Sequence, residues 1–251
     1  MLRKHSMSDT STSSVSPREI AQFDKLAAQW WDPRGPMRPL HEMNPLRTKW
    51  VNDRLAPLRA ARGSDRLSLL DIGCGAGLAS EAFAKFGHNV LGLDAAPDAI
   101  KAAQRHLLEH PLAENAGTLE YRNGSAEELV SEGKKFDAVT ALEVIEHVTD
   151  PQAFLQLLTS LTKPGGMIAV STMNRTLRSL AVAKIGAEYI ARLLPIGTHD
   201  WKKFIKPEEL SQMGRSAGLR MIDTAGMNYI PMQWRITRDT SINYIAIFAR
   251  D

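Results

Sequence analysis

The sequence predicts a doubly wound α/β fold, a mostly parallel sheet with helices on both faces. Three observations predict it. Short apolar runs (LSLLDIG, NVLGLD, TLEYRNG, FDAVTALEV and MIAVSTMN) recur from Leu67 onward. Helical patterns (LASEAFAKFG, PDAIKAAQRHLLEH, PQAFLQLLTSLT) lie between most of them, the alternation expected of parallel strands joined by crossover helices. A glycine-rich turn, DIGCGAG, closes the first run and opens a helix. Runs this apolar suit strands covered on both sides.

The 251 residues suit one α/β domain with an inserted segment. A net charge of +3 without a Lys/Arg-rich block argues against dedicated nucleic-acid binding. The single cysteine, Cys74, excludes an internal disulfide and a thiolate zinc site, and fits a reducing compartment. No run reaches the ~18–20 apolar residues of a spanning helix. Residues 1–16 are basic, then Ser/Thr-rich, without an apolar signal core. They read as a disordered tail, with Met7 an alternative start and a short transit peptide the competing reading.

Ile20–Trp31 carries apolar residues at helical spacing. WWDPRGPMRPLHEMNPLR, with four prolines, is expected to be a loop, and a helix is expected from about Pro45 to Arg62. After the five runs above, a helix at 207–217 precedes LRMIDTAGMNYI and INYIAIFAR, which read as a closing pair of strands.

Asp71, Gly73, Gly75 and Gly77 stand at the end of the first strand, where glycines let the backbone turn tightly and approach a ligand at a helix N-terminus. Asp94, at the end of the next strand, is placed to accept hydrogen bonds from a ribose diol. A nicotinamide dinucleotide fingerprint would need a glycine where Leu78 stands. With Asp94 and the P-G-G turn of LTKPGGMIAVST (161–172), the D-x-G-x-G-x-G string resembles class I S-adenosylmethionine-dependent methyltransferases. That resemblance implies a Rossmann-like, seven-stranded sheet whose last strand is antiparallel. By position, it puts Gly73 and its neighbours at the amino-acid end of the cofactor and Asp94 at its ribose. Ser125 and Ala126 fall near the adenine, and Leu142 lines the pocket.

Trp30–Arg47, 174–207 (NRTLRSLAVAKIGAEYIARLLPIGTHDWKKFIKP) and LEVIEHV together resemble the ubiquinone-biosynthesis O-methyltransferase family, over nearly the whole chain from Ile20. The resemblance implies methylation of phenolic hydroxyls on polyprenylated phenols or quinols, with Arg47 on the cofactor. It divides the chain into a tail (1–16) and one domain (17–251). Within the domain lie N-terminal helices with a cofactor-covering loop (17–66), a cofactor-binding core (67–173), an inserted lid (174–206) and a C-terminal helix with strands (207–251). As a helix, the lid sets Lys184, Glu188 and Arg192 in one stripe beside a broad apolar side, a pattern equally suited to a core helix and to an interfacial one. A polyprenyl substrate favours the second. Membrane contact through 174–195 is therefore expected, in the cytoplasm of a bacterium or the mitochondrial matrix of a eukaryote, in company with other enzymes of the pathway.

Glu143, Glu146 and His147 follow the fourth strand. A phenol, with a reference pKa of about 10, must lose its proton to attack a methyl group. A divalent ion held by the three side chains would stabilise the phenolate, Mg²⁺ by the family resemblance, with Zn²⁺, Mn²⁺ or Co²⁺ also suited to this donor set. His147 alone as general base, acting on a soluble catechol or another quinone precursor without metal, is the alternative, and acids at a helix start the plainest one. His199 and Asp200 are weaker candidates, and Trp30, Trp31 and Trp201 either line an aromatic pocket or fill the core.

Overall fold

The computed structural model describes residues 14, 20, 21, 24, 26–181, 201–229 and 233–251. Five parallel strands form one half of the sheet: β1 (Ser68–Ile72), β2 (Asn89–Asp94), β3 (Leu119–Asn123), β4 (Phe136–Leu142) and β5 (Thr162–Met173). Three antiparallel strands complete it: β6 (Leu219–Tyr229), β7 (Trp234–Thr237) and β8 (Asn243–Arg250). The order is β3-β2-β1-β4-β5-β8-β6-β7. The last strand is antiparallel, as the resemblance implies, and it inserts between β5 and β6. The eighth strand, β7, was not expected, because its four residues are too few to show a period.

Along the buried strands successive side chains enter opposite cores, as the pleat requires. Val139 and Ala141 of β4 face one side, where they meet α6 (Pro151–Leu161) and α7 (Pro207–Ser216). Ala138 and Leu142 face the other, with α1 (Arg38–Arg54), α2 (Ala56–Arg62) and α3 (Leu78–Lys85). β5 and β8 repeat the pattern, Val170 and Tyr244 on the first side, Ala169 and Ile245 on the second. Two further helices, α4 (Pro97–Glu109) and α5 (Ala126–Ser131), follow β2 and β3. Ser125 caps α5, accepting from the Glu128 N–H while the Glu128 carboxylate accepts from its own.

The proline-rich stretch corrects the sequence reading. Its second half is helical from Arg38, because Pro39 falls in the first turn, where a missing N–H costs nothing, and Pro45 is carried inside the helix. The expected single helix over 45–62 is broken at Leu55, with Pro57 in the first turn of α2. In the stretch from Ile20 to Trp31, residues 20, 21 and 24 are helical and Ala27–Gln29 form a 3₁₀ turn. Most of the expected lid, including Lys184, Glu188, Arg192, His199 and Asp200, lies outside the described residues, as does the tail apart from Ser14. The Ser14 N–H donates to Glu127 Oε1 at 3.0 Å, and its carbonyl accepts from the Thr149 N–H at 3.1 Å.

Candidate active site

Strand order reverses between β1, which leads outward to β2 and β3, and β4, which leads the other way. At such a switch point the loops beyond the carboxyl ends of the strands part and leave a crevice. A cavity of about 290 Å³ opens there. Asp71, Gly73, Asp94, Ser125, Ala126 and Leu142 line it from successive strand ends, and Arg47 enters from α1. Trp30, Met37 and Leu40 roof it. Of the cofactor residues expected from sequence, Gly75 and Gly77 alone do not face it.

Those two glycines shape the turn instead. Gly75 has φ +56°, and its N–H donates to Asp94 Oδ2 at 2.7 Å. A Cβ on it would lie 2.2 Å from the Trp30 ring, so only glycine lets this roof close. Gly77, at φ +92°, precedes α3 and packs against Tyr121. The roof is tied down from two further points. His41 Nε2 donates to the Trp30 carbonyl at 2.8 Å, and Trp31 Nε1 donates to the Ala76 carbonyl at 3.0 Å. The Trp31 ring also stacks on His106 at 3.4 Å between centroids. Neither tryptophan is mere core filler.

Asp71 is buried, with Oδ2 accepting from Ser80 Oγ at 2.6 Å and Oδ1 from Thr140 Oγ1 at 2.7 Å. Burial raises its pKa, with these hydroxyls and Arg47 opposing. Asp94 accepts from the N–H groups of Gly75 and Ala96, and burial again raises its pKa. Each oxygen keeps a lone pair for a ligand hydroxyl. Arg47 is 5% exposed; its Nε donates to Asn44 Oδ1 at 3.1 Å, while the buried Nη1 has no hydrogen-bond partner. Burial lowers its pKa, against the attraction of Glu143 and Asp71. A buried guanidinium with an unmet N–H beside a cavity is ready to donate to an anionic group such as a carboxylate.

Glu143 begins the opposite end of the cavity. It is the one non-glycine residue among those described with positive φ, +60°, a backbone state that costs about 1–2 kcal/mol and needs outside support. Support comes from β5 and β8. The Glu143 N–H donates to Ser171 O and Oγ, Ser171 Oγ donates to Oε1 at 2.7 Å, and Asn243 Nδ2 donates to Oε2 at 3.1 Å. Glu146 lies in the 3₁₀ turn Ile145–His147, and its Oε2 accepts from Thr172 Oγ1 at 2.8 Å. Burial and then the Glu143 carboxylate push Glu146 up to about 7, with His147 opposing. His147, half-buried, closes the turn. All three line the cavity.

The metal site expected at Glu143, Glu146 and His147 is not shown by this arrangement. Among the described residues no three His, Cys, Asp or Glu side chains are grouped as a metal ion needs. Consecutive hydroxyls of β5 hold the two acids, Ser171 on Glu143 and Thr172 on Glu146. Ser171, Thr172, Asn243 and Asn44 escaped the sequence reading. One signal was present for two of them. SerThr at the C-terminal end of an otherwise apolar parallel strand puts hydroxyls where ligands bind.

A family model described as a methyltransferase domain matches residues 41–224. Ubiquinone biosynthesis O-methyltransferase of Cereibacter sphaeroides is 45% identical over 250 residues, covering 96% of this chain and 99% of that protein. The protein of the same name from Azorhizobium caulinodans is 46% identical over 246 residues, covering 95% of each. Among solved structures, magnesium protoporphyrin IX methyltransferase from Synechocystis PCC 6803 with bound SAH is similar in fold, with TM-score 0.61 at 21% identity, covering 93% of this chain and 100% of that one.

Proposed function

The chain belongs to the ubiquinone biosynthesis O-methyltransferase family, and from that premise we propose that it methylates a phenolic hydroxyl of polyprenylated ubiquinone precursors. It is an S-adenosylmethionine-dependent O-methyltransferase. The cofactor, when bound, supplies an electrophilic methyl group on a sulfonium. What remains for the chain is to hold the donor, align the acceptor and take a proton.

One observation carries the reading. A single cavity runs from the glycine turn and the unmet Arg47 donor to Glu143, Glu146 and His147. Arg47 Nη1 and the turn would hold the amino-acid end of the donor, Asp94 the ribose hydroxyls, and Ser125 and Ala126 the adenine. His147 takes the phenol proton in this reading, and the Glu146 carboxylate beside it stabilises the imidazolium that forms. A Glu146 pKa of about 7 leaves it half ionised near neutrality, so transfer should fall as pH drops through about 7. The roof excludes water from the transfer path.

A metal-assisted version has one observation in its favour. Glu143 raises Glu146, and a divalent ion between them would relieve that repulsion. Glu143, Glu146 and His147 would hold it, with Mg²⁺ first by family and Zn²⁺, Mn²⁺ or Co²⁺ accepted by the imidazole. Chelator-treated protein, labelled cofactor and a short-chain demethylubiquinol test both versions. Undiminished transfer in excess chelator removes the essential metal, and restoration by added Mg²⁺ or Zn²⁺ establishes it. No transfer under any condition contradicts the function.

The proposal extends to location. No described helix is long and apolar enough to cross a membrane. Contact with lipid through 174–195, on the cytoplasmic side in a bacterium, would bring the enzyme to a substrate whose chain lies in the bilayer, near other enzymes of the same pathway. Flotation with anionic liposomes tests it, and protein left wholly at the bottom of the gradient contradicts it.

A further inference from the structure

Beyond Glu146 and His147 lies a second cavity, a groove of about 720 Å³ between the Ile145–His147 turn, α6, α7 and the two ends of segment 174–206. Both cavities are lined by Ile145's neighbours Glu146, His147 and Val144 on one side or by Glu146, His147 and Val148 on the other, so Glu146 and His147 form the wall they share. We propose that this groove holds the isoprenoid chain of the acceptor, with the phenol ring at the shared wall. The inference rests on the methyl-transfer reading above.

Several features of the groove support that occupant. Its floor is apolar, formed by Ile145, Val148, Phe204, Ile205 and Met213, and the hydrophobic effect stabilises an alkenyl chain laid on such a surface. Of its two acids, Glu146 belongs to the shared wall, and Glu209 is hydrogen-bonded to Arg175, so that second pair presents little net charge to a ligand. Its position is continuous with the proton-accepting groups. Displacement at a methyl carbon is in line, so the acceptor oxygen must arrive from the side opposite the sulfur, and the donor occupies the glycine-turn side. The groove supplies an approach from the other side. Its size also fits, within the ~300–1,000 Å³ of small-molecule pockets, whereas the first cavity stands at the lower edge of that range. Arg175 and Lys202, from the two ends of segment 174–206, both border the groove.

Gln212 and Ser216 are exposed, one turn apart on α7, and both face the groove. Replacing them by tryptophan fills it without disturbing a buried side chain. The test compares wild type with Q212W and with the double variant Q212W/S216W on two acceptors, a farnesyl-substituted catechol and a catechol with no chain. A tenfold or greater fall in kcat/KM for the farnesyl acceptor, with less than a twofold change for the chainless one and an unchanged cofactor Kd, is expected. Calorimetric affinity for the farnesylated methyl-ether product should fall in parallel. Equal losses on both acceptors, or no loss on either, would overturn the assignment. Wild type that methylates both acceptors equally well also overturns it, while leaving the methyl-transfer reading intact. Wild type that methylates neither refutes that reading, and the groove assignment with it.

Discussion

At the glycine-turn end of the cavity the site is placed by backbone, and at the Glu143–His147 end by side chains. Gly73 and Cys74 N–H groups donate to the Leu93 carbonyl, Gly75 N–H reaches Asp94, and β1 and β2 hold both segments in parallel register. Glu143, by contrast, keeps an unfavourable backbone angle only because Ser171 and Asn243 hold it, and Glu146 hangs on Thr172. The first end is rigid and shaped for a ligand of fixed form. The second is a set of tethered acids whose positions a single hydroxyl can change.

That contrast predicts effects of different size. The largest is expected from Gly75→Ala. An L-residue at this φ costs about 1–2 kcal/mol, and its Cβ must also displace Trp30 from the roof. Cofactor Kd measured by calorimetry should rise more than ~100-fold. Next comes Arg47→Gln, which keeps hydrogen-bonding capacity but removes the charge. Loss of a charge-assisted bond of about 1.5–3 kcal/mol should raise cofactor Kd about 10- to 100-fold. An unchanged Kd would mean that the orphan donor faces no part of the cofactor.

For the acids and their tethers at the side-chain end the effects are smaller, and for Glu146 they are tied to pH. Glu146 is raised in the folded protein above its unfolded value, so its ionisation destabilises the fold as pH rises toward and past about 7. Glu146→Gln should therefore unfold at a higher temperature than wild type at about pH 8, and the gap should narrow at about pH 5, as differential scanning calorimetry would show. A gap that widens toward acid would reverse the assigned sign. The smallest effect is expected from Ser171→Ala, which removes one tether of Glu143. It should cost about 1 kcal/mol of stability, with a fall in kcat and little change in cofactor Kd.

The same contrast explains what the sequence revealed. Glycines, an acid at a strand end and apolar runs are local signals, so the sheet, the turn and Asp94 were legible from residues alone. Arg47 needed the family resemblance, because nothing local distinguishes a buried arginine from a surface one. Glu143, Glu146 and His147 were found by their crowding, yet the hydroxyls that hold the two acids were not, since strand pairing brings Ser171 and Thr172 in from 28 and 26 residues away. The turns of α1 ahead of Pro45 were missed because proline is a breaker by local rule, and the packing of Met43 into the core overrides it.

The central claim is that donor binding and proton removal reside at separate ends of one cavity. It is tested most directly by His147→Gln, with single-turnover methyl transfer and cofactor affinity measured on the same preparation. Transfer should fall about 100-fold or more while the cofactor Kd stays within twofold. A rise in Kd that accounts for the lost rate, or a rate equal to wild type, would contradict it.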